Sequence, residues 1–321
     1  MSEKKYELTD ETISFEGRTL HRIRALVDIA SAGVSRGDLG GYAESEFNLD
    51  QSGNAWICED ACVFGDAEVS GNARVFGNAK VFGNAEVFGD AKVFWNAEVS
   101  GNARVFGNAQ VFGDAEVSGD AEVSGNAKVS SDAEVYGNAE VSGNAKVSGD
   151  AEVSGNAKVS GNAEVYGNAE VSGNAKVSGD AEVYGNAEVS GNAKVSGDAE
   201  VYGNAEVYGY AMVFGAAKVY GNAEVYGYAM VFGAAKVSGN ARISRKTDYF
   251  FVSPVGSECG VLTIFRTENG VSVNRGCFSG TLSEFEDAVR RKHGSNRYGD
   301  EYRLLIKLAR LRAKEWLKEG E

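Results

Sequence analysis

An aliphatic residue recurs every six positions from Ile57 to Ile243 without a break in the frame, at all 32 sites, and it is Val everywhere except at the two ends. Two residues before each of these stands Ala, from Ala55 to Ala241, again in all 32 cases. In extended backbone alternate side chains share a face, so Ala and Val point to one side and the Glu or Lys between them points to the other. The remaining positions read Ser, Tyr or Phe, then Gly, then Asn or Asp, and Gly and Asn tolerate the positive φ that a sharp corner needs. Each hexad is thus a short strand followed by a turn. One such strand buries almost nothing. Stacked at about 4.8 Å, however, the strands satisfy one another's backbone groups and place Val in internal ladders.

Residues 166–183 and 184–201 are the same 18-residue string, as are 202–219 and 220–237, which points to three hexads per coil. The first string also begins at residue 136, an offset of 30, so duplication has not always respected whole coils. The frame V-x-G-[ND]-A-x resembles the hexapeptide repeat of left-handed parallel β-helices, and the hand is implied by that resemblance rather than by the period. The segment RGDLGGYAESEFNLDQSGNAWI is similar to the N-terminal cap of uncharacterised bacterial and phage-borne repeat proteins of this kind. Enzymes of this fold are usually acyltransferases with a histidine base at the groove between subunits. This repeat contains no histidine: His21 lies before it and His293 after it. The resemblance therefore implies the fold and gives little support to transferase activity.

The flanks leave the frame. ETISFEGRTLHRIRALVDIA alternates apolar and polar residues around Glu16-Gly17, as a hairpin does. Gly41 and Ala43 fall in the repeat frame two hexads before Gly53 and Ala55, so an irregular first coil is expected there. Such a cap would cover strand groups that otherwise invite end-to-end association. After Arg245, the segments DYFFVS, GVLTIFR and VSVNR read as strands, Thr281 and Glu284 have capping-box spacing, and a second helix is expected over Tyr298 to Leu317. The expected fold is mainly β. A single-stranded left-handed parallel β-helix over 53–244 lies between an N-terminal β cap, 1–52, and a small α+β C-terminal module, 245–321.

Charge is distributed unevenly along the chain. The net −14 is contributed as −4 by residues 1–52, −13 by 53–244 and +3 by 245–321. If every third hexad shares a face, then Glu98, Glu116, Glu134, Glu152, Glu170, Glu188, Glu206 and Glu224 form one acidic row. Another face carries Lys158, Lys176 and Lys194, giving sides of opposite sign, and corners carry Phe76, Phe94 and Phe112, then Tyr166, Tyr184, Tyr202 and Tyr220. Arg290, Arg291, Lys292 and Arg297 belong to a run of nine basic residues between Arg290 and Lys314, opposed there only by Asp300 and Glu301. Such a run favours an acidic protein or nucleic acid. Cys58, Cys62, Cys259 and Cys277 are too scattered for a disulfide framework and read as reduced thiols. Neither a signal peptide nor a membrane span is legible, so a cytoplasmic location is expected.

These features lead to a non-enzymatic rigid rod that presents terminal binding modules, with no cofactor or metal and another protein as its partner. Three alternatives stay open. The chain is an acidic nucleic-acid mimic that occupies a DNA-handling protein through its Glu face, a hexapeptide-repeat transferase, or a scaffold that self-associates into a homo-oligomer.

Overall fold

The structure is a computed structural model that describes residues 4–316. Two compact units, Met1–Asn174 and Ala175–Glu321, are taken in turn.

The first unit opens with strands β1 (Tyr6–Phe15) and β2 (Arg18–Ala25), an antiparallel hairpin that turns at Glu16 and Gly17, both at positive φ. β2 pairs antiparallel with β3 (Leu39–Ala43), and the other edge of β3 pairs parallel with the first repeat strand of its face, Cys62-Val63. A hairpin is thereby joined to a parallel stack through one shared strand. The partner of Ala43 is Val63, not Ala61 as the unbroken frame predicts. This two-residue slip has a steric cause. A Cβ on Gly40 would lie 2.5 Å from the Ile57 carbonyl oxygen and one on Gly41 2.5 Å from that of Ala61, so this approach of backbone to backbone admits only glycine. Lys5 is buried beside this coil and its Nζ donates to the carbonyls of Ser52 and Ala55, at 3.2 and 3.0 Å. Burial pulls its pKa from 10.5 down to about 8, with the Asp50 carboxylate pulling weakly the other way.

From residue 54 the chain stacks by 18. Outward residues of one face run Cys62, Lys80, Glu98, Glu116, Glu134, Glu152 and Glu170, each paired with the next in parallel register. A second face runs from Trp56 and Arg74 to Lys146 and Glu164, and a third from Glu68 to Lys158. Three strands per coil is thus the observed arrangement. Each strand gives two hydrogen bonds to the next coil, as in Glu116 N–H to Ala133 O at 3.0 Å and Ser118 N–H to Val135 O at 2.9 Å. Every repeat Ala and Val is fully buried. At roughly 1.5–3 kcal/mol for each buried Val the core is a sum along the stack rather than one central nucleus.

The corners explain the Gly-Asn and Gly-Asp pairs. Gly143 stands at φ +72°, and a Cβ there would meet the backbone N and O of Gly161 at 2.9 Å. The following Asn residues form side-chain ladders: Asn108 Nδ2 donates to Asn126 Oδ1 and Asn126 Nδ2 to Asn144 Oδ1, each at 3.0 Å. Where Asp replaces Asn it accepts the bond from the coil before, as Asp120 does from Asn102 at 2.7 Å, but a carboxylate has no N–H with which to continue the ladder.

The second unit continues with the same three-faced stacking, Lys176 facing Lys194, Glu182 facing Glu200 and Glu188 facing Glu206. After Ile243 it changes to a four-stranded antiparallel meander, β4 (Tyr249–Val255), β5 (Gly260–Thr267), β6 (Gly270–Arg275) and β7 (Phe278–Thr281). Helix α1 (Leu282–His293) follows with a complete Thr281–Glu284 capping box, then α2 (Arg297–Trp316). Leu317, expected in that helix, lies outside the described residues. The last strand of the meander, β7, is not among the three expected from sequence. Leu262, Ile264, Val273, Phe285, Ile306 and Trp316 form a separate core for this module. β5 also covers the final coil: Thr267 bridges Ala241, and Thr263 Oγ1 accepts the Lys236 N–H at 2.9 Å. The turn between them is held by Asp248, fully buried, whose carboxylate accepts from the Ser244 and Arg245 N–H groups and from Arg245 Nε.

Candidate functional site

Two regions carry the residues singled out by sequence. In the first unit Glu98, Glu116, Glu134, Glu152 and Glu170 are successive partners along one face, and in the second Glu188, Glu206 and Glu224 are. Each like pair at ~4.8 Å costs roughly 0.9 kcal/mol in water before screening. In the first unit Lys80 Nζ lies 2.6 Å from Glu98, Glu116, Glu134 and Glu170 are exposed, and Glu152 accepts the Tyr136 hydroxyl at 3.0 Å; in the second unit Arg242 pairs with Glu224.

The other faces mix opposite and like charges. Arg104 lies between Glu86 and Glu122, at 3.2 and 3.0 Å, and Lys146 meets Glu164 at 2.6 Å. The expected positive side is therefore corrected. Lys176 and Lys194 do stack, but Lys158 is bonded to Glu140 at 2.5 Å on a face of the first unit that also carries Glu68, Glu86 and Glu122. Glu140 stands 18 positions before Lys158, so the regular spacing itself makes this face of the first unit mixed in sign.

Corner aromatics form stacked ladders. Phe76, Phe94 and Phe112 follow one another at 4.8 and 4.9 Å, and Tyr184, Tyr202 and Tyr220 at 4.8 and 5.0 Å. Burial, reinforced by Glu200, pushes Tyr184 up to about 12. Sequence reasoning passed over the pair Tyr210–Tyr228, which is stacked at 5.2 Å and exposed by 56% and 74%, so that both rings stand mostly in solvent. The signal was present, since YGYAMVFGAAKV lies within the 18-residue string shared by 202–219 and 220–237.

The second region is the C-terminal module, where four residues of the basic run are ion-paired. Arg290 bonds Asp287 at 2.7 Å, Lys292 bonds Glu258 at 2.9 Å, Arg303 pairs with Asp300 and Arg310 with Glu286. Hydrogen bonding to Lys292 holds the Glu258 carboxyl below its ordinary range and raises Lys292 in return. Arg291 and Arg297 are exposed and have no ion pair among the described residues.

A cleft of about 440 Å³ opens between the β6–β7 turn and α1, floored by Phe278, Phe285 and Val289 and edged by Arg275, Arg291 and Lys292. Of the four basic residues expected to bind, Arg291 and Lys292 line it and Arg290 and Arg297 do not. Arg275 was not anticipated. Its Nε donates to Tyr302 Oη and its Nη2 to the Val255 carbonyl, both at 2.9 Å, so two neutral acceptors hold the guanidinium in place. His293 stands at the same cleft, its ring 5.6 Å from that of Tyr302, and His21 Nδ1 lies 3.0 Å from the Thr9 carbonyl in the N-terminal hairpin. The four cysteines are free thiols, and no cluster of potential metal ligands occurs among the described residues. No helix among them is long and apolar enough to cross a membrane.

A family model described as "YdcK Beta solenoid repeat" matches residues 97–113. That stretch holds three consecutive Ala-x-Val units, Ala97 to Val99, Ala103 to Val105 and Ala109 to Val111, one from each face. With the parallel stacking described above, the match makes the chain a β-solenoid repeat protein. No curated protein matches the chain.

Proposed function

We propose that the protein is a non-enzymatic scaffold whose coils support a C-terminal module that binds an acidic protein partner. One contrast carries this reading. The repeat interior is filled completely by Ala and Val, whereas the module has its own core and exposes Arg291 and Arg297 without an acidic partner among the described residues. The finer reading that these are left-handed coils of the hexapeptide type, closed by a cap of the GDLGG kind, is supported by the V-x-G-[ND]-A-x frame and by RGDLGG at 36–41.

A second reading is an acidic mimic of nucleic acid, favoured by the in-register row of exposed Glu116, Glu134 and Glu170. Affinity capture with the full chain, with Arg291→Glu/Arg297→Glu, and with Glu116→Gln/Glu134→Gln/Glu170→Gln separates the two. Loss of a partner with the arginine variant alone supports the scaffold. Loss of a DNA-handling protein with the glutamine variant alone replaces it with the mimic.

A further inference from the structure

We propose that the cleft of the C-terminal module is a binding site for a small organic anion, an apolar body of about aromatic-ring size that carries one carboxylate or phosphate group. The volume, about 440 Å³, lies in the range of small-molecule sites, roughly 300–1,000 Å³. Phe278, Phe285 and Val289 give the interior an apolar surface, and Phe285 is itself only 3% exposed, its ring edge-on to Tyr302 at 5.5 Å. The floor is therefore rigid.

The cations at the mouth are not equivalent. Lys292 is neutralised by Glu258. Arg275 is bonded only to a hydroxyl and a carbonyl, which orient its fork without cancelling its charge. Arg291 has no acidic partner among the described residues and lines the same opening. Glu258 lines the cleft too and is felt by Arg275 as well as by Lys292, so three cations face one carboxylate and a net positive charge stands beside the apolar floor. A bare inorganic anion would answer the charge and leave the rings wet. A neutral apolar molecule would cover the rings and leave the charge unanswered. A ligand with both parts satisfies the site, because guanidinium takes carboxylate or phosphate oxygens in paired hydrogen bonds and the rings take the body. Arg291 is shared with the macromolecular contact proposed above, whereas Arg297 does not line the cleft, so a variant that fills the cleft without touching either arginine separates the two proposals.

The test is calorimetric titration of the full chain at low salt with phenyl phosphate, phenylacetate, inorganic phosphate and benzyl alcohol. One phenyl phosphate or phenylacetate per chain is expected, with whichever binds better identifying the head group, about tenfold or more tighter than inorganic phosphate and benzyl alcohol. Arg291→Gln, which removes no internal bond, and Ala288→Trp, which fills the cleft from α1, should each weaken binding about tenfold or more. Arg275→Gln should do the same, but it also removes a bond to Tyr302, so the other two variants decide. The proposal is overturned if neither aromatic anion binds below about 1 mM, or if inorganic phosphate binds equally well. It is also overturned if the variants leave binding unchanged, as they would for a ligand seated on Tyr210 and Tyr228. Capture of a protein partner that survives Ala288→Trp leaves the scaffold reading intact whatever the titration gives.

Discussion

Replacing Gly143 by Ala tests the corner geometry on which every coil depends. Two penalties add there. An L-residue at φ +72° costs roughly 1–2 kcal/mol relative to glycine, part of which is recovered because Ala stiffens the unfolded chain by roughly 0.4–1 kcal/mol. The new Cβ would also lie 2.9 Å from the N and O of Gly161, and that oxygen is fixed by the Asn144 N–H at 2.7 Å. Forcing a methyl into packed backbone costs typically about 1–3 kcal/mol. Gly239 separates the two effects, since it has φ +63° but nothing within 4 Å of its would-be Cβ. Gly239→Ala should therefore lose about 1 kcal/mol and Gly143→Ala about 2–4 kcal/mol. The reverse change is available at Ser131, which with Glu59 and Trp95 is one of three non-glycine residues at these corners and stands at φ +62°. Ser131→Gly should gain about 0.5–1 kcal/mol. Urea unfolding followed by circular dichroism, with slopes compared, reads all three. Equal losses at Gly143 and Gly239 would show that coil-to-coil contact at the corner is not the constraint, and a loss at Ser131→Gly would remove the strain argument.

Three further outcomes follow from the same geometry. Val153→Asp buries a carboxylate without a partner and should cost several kcal/mol, whereas Glu152→Gln keeps an acceptor for Tyr136 and should change little; equal melting shifts would invert the assignment of inside and outside. Because Lys5 falls to about 8 on folding, the unfolded chain holds more protons between there and 10.5, so stability should rise with pH across that window. Lys5→Met should abolish the rise, and a titration of the melting temperature in which wild type and variant run parallel would refute it. Deleting 184–201 should leave a folded chain in which Lys176 faces Met212 and Glu182 faces Lys218, whereas deleting only 184–189 should turn every later strand of the second unit onto another face. Hydrogen exchange that finds the 18-residue deletion unfolded and the hexad deletion intact would refute three strands per coil.

What could be read from sequence follows from the range of the contacts. In the coils every neighbour stands 18 positions away, so one repeat states the surroundings of all the others. Strand pairing, the buried Ala and Val ladders, the Glu row and the number of strands per coil were legible for that reason. The Thr281–Glu284 capping box was legible for a similar one, since its partners are three residues apart. Contacts outside that fixed spacing were not. Ala43 slipped two places against Val63 because the closeness of backbone at Gly40 and Gly41 leaves no periodic mark. The cleft was hidden most deeply. Arg275 is held by Tyr302, 27 residues away, and by Val255, 20 residues behind it. Only the packing of α2 against the meander brings them together, which is why a run of basic residues in α1 and α2 gave no indication that Arg291 would line a cavity while its neighbour Arg290 turned to Asp287.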